Sequence, residues 1–167
     1  MSDQLVLAAN DSDAANWLPG VPIVRDHYEG AGGLAGVDAA LRWAAEHDAR
    51  LDGAIVVAWD MPFVSPRLLE LLLKTARSSG ADVVVPESIS PYGFEPFCAW
   101  YASRVATRLE DFLGAGGGAA RDFVAQVRSA RVTLADVREI GDPDVMLGSV
   151  NSEDELRQAK ARARRVE

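Results

Sequence analysis

The fold class of this chain can be inferred from one short apolar run that ends in an acidic residue. Residues 54–59 carry apolar side chains on both faces, and they lead directly into Asp60-Met61-Pro62. Strands that are apolar on both faces occur almost only in parallel sheets that helices cover on both sides. The run therefore predicts a central strand of an α/β sheet, with Asp60 at its carboxyl end.

Apolar runs and amphipathic segments alternate along the rest of the chain. The other predicted strands are residues 4–9, 21–24, 81–85, 95–101 and 130–135. The predicted helices are residues 37–46, 66–78, 103–113, 121–129 and 152–165. Such alternation is typical of an α/β fold with a mainly parallel sheet. Because the chain has 167 residues and no repeat or linker, we expect one domain that spans residues 1–167.

The charge and composition exclude several classes of protein. The formal net charge is −8, whereas a nucleic-acid binder needs a broad positive surface. Basic residues cluster only at residues 160–165, which we interpret as the cationic end of the last helix. The single cysteine, Cys98, cannot form an intramolecular disulfide, and no apolar run is long enough to span a membrane. We therefore expect a cytoplasmic protein that binds neither nucleic acid nor membrane.

Three polar residues stand at or just beyond the ends of predicted strands, namely Asn10, Asp26 and Asp60. The carboxyl ends of parallel strands meet at one edge of a sheet, where ligands bind, so we expect these side chains to lie close together. A carboxylate there can hold Mg²⁺, which prefers oxygen ligands and phosphates, and a side-chain amide can read a base edge. The same residue types also stabilise local turns, so the sequence alone leaves both roles open.

A glycine-bearing segment, Gly33, Leu34, Ala35 and Gly36, precedes the helix predicted at residues 37–46. We expect it to form a loop whose bare backbone lets a ligand approach, next to a helix N-terminus that favours anions. It lacks the lysine and hydroxyl residue of a Walker A motif and is not a full G-x-G-x-x-G motif. On its own the segment is therefore weak evidence for a nucleotide site.

Two predicted helices begin with clear capping residues. Ser65 is expected to cap the helix that starts at Pro66 and stops near Gly80. Asn151 or Ser152 is expected to cap the last helix. Asn151 could also supply a second oxygen ligand to a metal, and the two roles are compatible.

The sequence contains no recognisable covalent nucleophile or zinc site. Cys98 lies in the apolar segment 96–100, which predicts a buried structural thiol. His27 and His47 stand apart in the sequence, so the spacing of zinc ligands is absent. No G-x-S-x-G motif occurs either. We therefore expect neither zinc chemistry nor a cysteine or serine nucleophile.

Several of these segments, taken in order, resemble motifs of the molybdenum cofactor guanylyltransferases, a family of MobA-like nucleotidyltransferases. Trp59-Asp60-Met61-Pro62-Phe63 resembles that family's CD-x-P motif, and Gly33-Leu34-Ala35-Gly36 resembles its GPLAG loop. The segments that end at Asn10 and Asp26, and those at residues 95–101 and 150–156, are similar to four further family motifs. The motifs follow the family order across nearly the whole chain.

The resemblance implies a Rossmann-like three-layer nucleotidyltransferase fold with a mainly parallel sheet. It implies the transfer of GMP from GTP to molybdopterin, with Mg²⁺ bound and with transient contact to molybdenum cofactor insertion proteins. Asp60 would be the catalytic, metal-binding aspartate, which also contacts the nucleotide. Asn10, Asp26 and residues 33–36 would contact the guanine nucleotide, and Asn151 would lie near the metal on the molybdopterin side.

One family feature has no counterpart in this chain. The family begins with a first strand and a glycine-rich loop that holds the triphosphate, and no segment here is similar to it. We therefore expect a domain that is incomplete at its N-terminus and lacks its first strand. Two alternatives remain open: another nucleotidyltransferase of the same fold that uses CTP or a sugar phosphate, or a non-catalytic protein that binds a nucleotide or molybdopterin.

Overall fold

A computed structural model describes residues 4–28 and 30–163. The chain divides into two compact units, each built from two separate segments. The first unit comprises Met1–Ala54 and Tyr101–Val127, and the second comprises Ile55–Trp100 and Arg128–Glu167. The chain therefore crosses between the units three times, which ties the two units together covalently.

Strands and helices alternate along most of the chain. The strands are β1 Leu7–Ala8, β2 Ile23–Val24, β3 Gly53–Val57, β4 Val83–Pro86, β5 Cys98–Ala102 and β6 Ser129–Val132. The helices are α1 Gly33–His47, α2 Pro66–Ser79, α3 Ala106–Gly114, α4 Ala120–Gln126, α5 Leu134–Ile140, α6 Pro143–Met146 and α7 Glu153–Ala163. Short 3₁₀ turns occupy Ala14–Asn16 and Ser103–Val105. The predicted α/β class is confirmed.

The first unit is organised around helix α1. Strands β1 and β2 pair in parallel, with Leu7 opposite Ile23. Helix α1 packs against both strands and against α3. Its buried positions include Leu34, Val37 and Leu41, which recur at the spacing of one helix face. This packing brings the carboxyl ends of β1 and β2 next to the first turn of α1.

The second unit is organised around strand β4, which is buried along its whole length. Strand β4 pairs in parallel with β6, and the four-stranded sheet has the order β3-β5-β4-β6. Helix α2 packs on β4, β6 and α5, and its buried face contains Leu68, Leu72 and Ala76. The core of this unit therefore lies between α2 and the sheet.

Helix α2 has the boundaries that its capping residues predict. The Ser65 hydroxyl accepts a hydrogen bond from the backbone N–H of Arg67, and Pro66 occupies the first helical position. Gly80 closes the helix at φ +59°, a left-handed conformation that glycine adopts without steric cost. Both predicted ends are confirmed.

The predicted loop at Gly33, Leu34, Ala35 and Gly36 is wrong, because these residues form the first turn of α1. The chain turns instead at Gly32, which has φ +64°. Leu34 and Ala35 are fully buried, and their burial offsets the cost of about 1 kcal/mol that each glycine brings to a helix. The helix therefore starts at Gly33, whereas the sequence pattern had predicted a start four residues later, at Val37.

The strand predicted at residues 130–135 is too long, because β6 ends at Val132. Thr133 instead caps α5: its hydroxyl accepts from the N–H of Asp136, and the Asp136 carboxylate accepts from the N–H of Thr133. Helices α5 and α6 were not predicted. The reason is that a β-branched threonine favours a strand in a sequence pattern but can equally serve as a helix cap.

The structure describes only part of the helix that was predicted at residues 152–165. Helix α7 begins at Glu153, and the end that we predicted at residue 165 lies outside the described residues. The same is true of part of the basic cluster at residues 160–165. Within the two described stretches, none of the helices combines the length and apolar character that crossing a bilayer requires.

Candidate active site

Asn10 and Asp26 form a reciprocal pair just beyond β1 and β2. The Asn10 side-chain Nδ2 donates to Asp26 Oδ2 at 2.8 Å, and the Asp26 backbone N–H donates to Asn10 Oδ1 at 3.0 Å. The pair exists because β1 and β2 are parallel, so that their carboxyl ends lie side by side. The structure thus brings together two of the three polar strand-end residues.

The pair leaves one Asp26 oxygen available beside α1. Asp26 Oδ1 accepts no hydrogen bond within the described part of the chain. A Cβ placed on Gly36 would lie 3.9 Å from this oxygen and 3.4 Å from the Ala8 Cβ. The absence of a side chain at Gly36 therefore keeps the space between α1 and Asp26 open.

Arg25 brings a positive charge to the same place, although sequence reasoning had given it no role. Its Nη1 donates to the backbone carbonyl of Asn10 at 3.4 Å, and its side chain is exposed. Its position directly before Asp26 was the only feature of the sequence that could have indicated this. A cation beside the pair makes this corner of the first unit suitable for an anionic ligand.

The first turn of α1 presents backbone groups rather than side chains to solvent. Gly33 is exposed and Gly36 is half-buried, whereas Leu34 and Ala35 are fully buried and do not reach solvent. Gly32 provides no side-chain cap, and no acidic residue lies in the first turn. The positive end of the helix dipole is therefore not neutralised by the helix itself.

A charge network that the sequence did not predict joins the buried Asp38 of α1 to α3. Asp38 is 1% exposed, and its Oδ2 pairs with Arg42 Nε at 2.8 Å. Arg42 Nη2 also pairs with Glu110 Oε1 at 2.6 Å. The hydrogen bonds from Arg42 to Glu110 and Asp38 raise the pKa of the arginine, so it stays charged. The network holds the helix whose first turn lies beside Asp26.

The first unit also contains an open cavity of about 680 Å³ that extends along α3 and α4. Its lining includes Arg108, Phe112, Gly117 and Gln126. A Cβ on Gly117 would lie 2.5 Å from the Phe112 ring, so the backbone can pass the ring only because this residue is glycine. None of the predicted site residues lines this cavity, and it lies outside the candidate site.

Asp60 lies in the second unit, three residues beyond β3. Its backbone carbonyl accepts a hydrogen bond from the N–H of Val150 at 2.8 Å, which brings the segment before α7 alongside it. In the stretches that the structure describes, the Asp60 carboxylate has no hydrogen-bond or ion-pair partner. The carboxylate is half-buried and open to an external ligand.

Asn151 follows Val150, whose N–H donates to the Asp60 carbonyl, so the Asn151 backbone lies near Asp60 in space. Its backbone N–H donates to Glu155 Oε2 at 2.6 Å, and the Ser152 hydroxyl accepts from the Glu155 N–H at 3.2 Å. These bonds form the helix cap that the sequence predicted, with Ser152 in the capping role. Asn151 is exposed and contributes only its backbone N–H to the cap, so its side-chain amide takes no part in it.

The charge of Asp60 also acts on a second carboxylate of the same unit, that of Glu95. The Ala58 N–H donates to the Phe97 carbonyl at 2.7 Å, and Glu95 Oε1 accepts from the Phe97 N–H at 3.0 Å. Burial raises the pKa of Glu95, the Phe97 hydrogen bond lowers it, and the negative charge of Asp60 raises it further. The sequence contained Glu95 within a family motif, but nothing there indicated that the charge of Asp60 would act on it.

Cys98 is fully buried, as predicted for a structural thiol. Burial and the nearby charge of Glu95 raise the pKa of the thiol to about 12. The thiolate form, which is the nucleophile, is therefore scarce at neutral pH. The expected absence of a role for Cys98 as a nucleophile agrees with this environment.

The donor chemistry around Asp60 fits a hard divalent cation. Asp60 supplies carboxylate oxygens, which Mg²⁺ prefers, and Mg²⁺ sites in proteins usually contain only one or two carboxylates. Among the described residues there is no group of three or more acidic, histidine or cysteine side chains that could hold a metal by itself. A cation bound here would therefore complete its coordination with water or substrate oxygens.

The site residues thus fall into two groups, one in each unit. Asn10, Asp26 and Gly36 lie together in the first unit, and Asp60 lies in the second. The expected convergence of Asp60 with Asn10 and Asp26 stays a prediction. The proposed roles of these residues toward a ligand also stay predictions.

Comparisons with known proteins show to which family this chain belongs. A family model described as the MobA-like NTP transferase domain matches residues 1–132. A protein of Pelotomaculum thermopropionicum, named probable molybdenum cofactor guanylyltransferase, is 32% identical over 144 residues. That alignment covers 86% of this chain and 66% of the relative. The chain thus spans just under two thirds of the length of this relative.

Solved structures agree with the sequence comparison. The molybdopterin-guanine dinucleotide biosynthesis protein A of Archaeoglobus fulgidus has a TM-score of 0.76 and 26% identity, over 96% of this chain and 79% of that protein. Rv0371c of Mycobacterium tuberculosis, solved in complex with manganese, has a TM-score of 0.58 at 21% identity, over 94% of this chain and 77% of that protein. The resemblance inferred from the order of the motifs is confirmed, and this chain belongs to the MobA-like NTP transferase family.

Proposed function

We propose that this protein transfers GMP from GTP to molybdopterin and releases pyrophosphate. The observation that carries the proposal is the 32% identity to a relative named probable molybdenum cofactor guanylyltransferase. The structural likeness to a protein named for molybdopterin-guanine dinucleotide biosynthesis supports it. The geometry of the two residue groups is compatible with this chemistry, as the following steps describe.

The nucleotide base or ribose is proposed to bind at Asp26. Asn10 holds Asp26 Oδ2 at 2.8 Å, which fixes the carboxylate and leaves Oδ1 as an acceptor. Guanine offers an amino group as a donor, and a ribose hydroxyl is a donor as well. A charge-assisted hydrogen bond to an oriented carboxylate is stronger than a neutral one. Asn10 therefore acts mainly by positioning Asp26.

The phosphates are proposed to lie toward the first turn of α1. The exposed backbone at Gly33 and the uncapped helix end favour negative charge. Arg25 adds a cationic side chain beside Asn10. These groups supply attraction for the phosphates but no covalent chemistry.

The divalent cation is proposed to be Mg²⁺, held by Asp60. When bound, such a cation neutralises the charge that develops on the phosphate oxygens. The manganese in the Mycobacterium tuberculosis structure belongs to that protein, and at 21% identity the likeness supports only the fold. The fit of Mg²⁺ to this chain rests on the open carboxylate of Asp60.

The transfer itself is proposed to occur in line. A phosphate oxygen of molybdopterin attacks the α-phosphorus of GTP, a new P–O bond forms, and the bond to pyrophosphate breaks with both electrons on the leaving group. The protein needs to supply only positioning and charge compensation. Cys98 is buried, so it is not a nucleophile. The exposed amide of Asn151 is proposed to contact the molybdopterin side of the site.

A second candidate is a cytidylyltransferase of the same fold. The observation that favours it is again Asp26 Oδ1, because the amino group of cytosine is also a donor that carboxylates accept. The two candidates share every proposed step except the recognition of the base.

Thermal unfolding with each nucleotide separates these candidates. We expect GTP with Mg²⁺, at about 100 times its Kd, to raise the Tm by roughly 5–10 °C, because a ligand that binds only the folded state stabilises it. CTP at the same concentration should raise the Tm less, and Mg²⁺ alone is the control. Stabilisation by CTP and not by GTP would overturn the guanylyl assignment. Formation of the guanine dinucleotide from GTP and molybdopterin then tests the transfer.

A further inference from the structure

Two backbone hydrogen bonds fix the direction of β3 in the four-stranded sheet. The Ala58 N–H donates to the Phe97 carbonyl at 2.7 Å. Near the other end of the strand, the Ser103 N–H donates to the Asp52 carbonyl at 2.7 Å. Moving forward along β3 therefore means moving backward along β5, which is its neighbour in the sheet. The two strands are antiparallel.

Strand β4 runs in the same direction as β3. Glu87, directly after β4, pairs with Phe94 in antiparallel fashion, so the chain reverses between β4 and β5. Strand β5 is therefore antiparallel to both of its neighbours, and β6 is parallel to β4. The carboxyl ends of β3, β4 and β6 thus meet at one edge of the sheet, which we call the carboxyl edge. Asp60 lies at this edge, three residues beyond β3.

The exposed apolar surface of the second unit is concentrated at the carboxyl edge. Among the residues that the structure describes, the exposed large apolar side chains of this unit are Val57, Trp59, Ile89 and Tyr92. Val57 is the last residue of β3, Trp59 lies two residues beyond it, and the other two lie in the loop between β4 and β5. Exposed apolar residues that are grouped in one place mark a binding surface, whereas scattered ones need no explanation. In open α/β sheets, ligands bind outside the carboxyl ends of the strands.

Trp59 and Asp60 share one tight turn. The Met61 N–H donates to the Ala58 carbonyl at 3.1 Å, so Trp59 and Asp60 are the two central residues of a β-turn. Their Cα atoms are about 3.8 Å apart, as in any pair of consecutive residues. The Val150 N–H holds the Asp60 carbonyl at 2.8 Å from outside the turn. The Trp59 side chain is 81% exposed and leaves from an anchored backbone, so a ligand that contacts it has little of the chain to order.

We propose that Trp59 stacks on the pterin ring of the acceptor, molybdopterin, and is a specificity-determining residue for it. This inference rests on the proposed function, in which a phosphate oxygen of the acceptor attacks close to the cation at Asp60. The acceptor's ring then lies within the length of one small molecule from that cation, and the guanine is already assigned to Asp26. A flat conjugated heterocycle is what the face of an exposed indole binds. The family motif CD-x-P has a cysteine where this chain has Trp59, so the contact is a feature of this chain.

The test uses Trp59→Ala and a stable probe, 6-hydroxymethylpterin diphosphate, which combines the pterin ring with phosphates. We expect its Kd in the presence of Mg²⁺, measured by the anisotropy of the pterin's own fluorescence, to rise roughly tenfold, because stacking on an aromatic side chain is lost. Trp59→Phe keeps an aromatic face and should raise this Kd by less. The Kd for GTP, measured by isothermal titration, should not change, because guanine is proposed to bind at Asp26.

Two controls and a kinetic readout make the result specific. Trp17→Ala removes an exposed tryptophan of the first unit and should leave the Kd for the pterin unchanged. The Tm of ligand-free Trp59→Ala should match that of the unsubstituted protein, because truncation of an exposed side chain changes stability little. In the transfer assay, Trp59→Ala should raise the KM for molybdopterin while kcat and the KM for GTP are retained, as expected when a binding contact is lost.

Three outcomes overturn this inference and leave the proposed function standing. In the first, Trp59→Ala binds the pterin as tightly as the unsubstituted protein does and uses molybdopterin normally. In the second, Trp59→Ala lowers the Tm, or weakens the binding of GTP and of the pterin equally, and Trp59 is then structural. In the third, light scattering shows that only the unsubstituted protein self-associates while pterin binding is unchanged, and Trp59 then contacts a second copy of the chain.

The remaining outcomes concern the proposed function itself. If pterin binding depends on Trp59 but no guanine dinucleotide forms from GTP and molybdopterin, the contact with the pterin stands and the transfer is overturned. If the unsubstituted protein neither binds the pterin nor forms the dinucleotide, both proposals are overturned.

Discussion

At the scale of single residues, the sequence could predict partners that follow from strand direction but not those that depend on tertiary packing. Asn10 and Asp26 were expected to meet because both stand at the ends of strands that a parallel sheet brings side by side, and their hydrogen bonds show that they do. The effect of the Asp60 charge on Glu95 was not predicted, because the two residues are 35 positions apart in the sequence and no strand-direction rule relates them. The same holds for the pairing of the buried Asp38 with Arg42, since a carboxylate within a helical pattern is usually exposed.

The Asn10–Asp26 pair gives a prediction at this scale. Asn10→Ala removes the donor that orients the Asp26 carboxylate, which is a hydrogen bond to a charged group worth about 1.5–3 kcal/mol. We expect the affinity for GTP to fall by roughly tenfold to a hundredfold, while the fold is retained because the pair is exposed. Isothermal titration of GTP measures the change. Asn16→Ala, an exposed asparagine in the same unit, is the matched control, and an Asn10→Ala protein that binds GTP normally would contradict the proposed role.

At the scale of elements, helices with unambiguous ends were predicted and those with ambiguous ends were not. Helix α2 was predicted because Ser65, Pro66 and Gly80 each favour one position in a helix. The start of α1 was misplaced because burial of Leu34 outweighed the poor helix propensity of its glycine neighbours. Helix α5 was missed because Thr133 suits the end of a strand as well as the start of a helix. Local propensity determines the type and the ends of an element only where tertiary packing does not oppose it.

The capping box of α5 gives a prediction for an element. Thr133→Ala removes the hydroxyl that accepts from the Asp136 N–H, and the loss of such a cap costs about 0.5–2 kcal/mol. We expect the free energy of unfolding in urea to fall by this amount, with no change in the Kd for GTP, because α5 carries none of the proposed site residues. Thr107→Ala, at an exposed position within α3, is the control that changes a threonine without removing a cap. An unchanged midpoint in urea for Thr133→Ala would argue against the capping role.

At the scale of the whole molecule, the α/β class followed from the alternation of strands and helices, but the division into two units did not. The sequence has no linker between them, because each unit is built from two separate segments. The chain passes between the units within β3 after Ala54, within β5 after Trp100, and after Val127. Composition and periodicity report on neighbours in the sequence. They carry no information about units whose halves are separated by residues 55–100 in the first unit and by residues 101–127 in the second.

The interleaved path of the chain predicts how the molecule unfolds. Because β3 and β5 contribute residues to both units, unfolding of one unit disrupts strands that belong to the other, and we expect a single cooperative transition. Leu41→Ala in the first unit and Leu72→Ala in the second both truncate buried side chains, and each should lower the free energy of unfolding by about 2–5 kcal/mol. Urea unfolding followed by circular dichroism and by tryptophan fluorescence should give coincident curves for all three proteins. Two transitions, with each substitution shifting only one of them, would show instead that the units unfold independently.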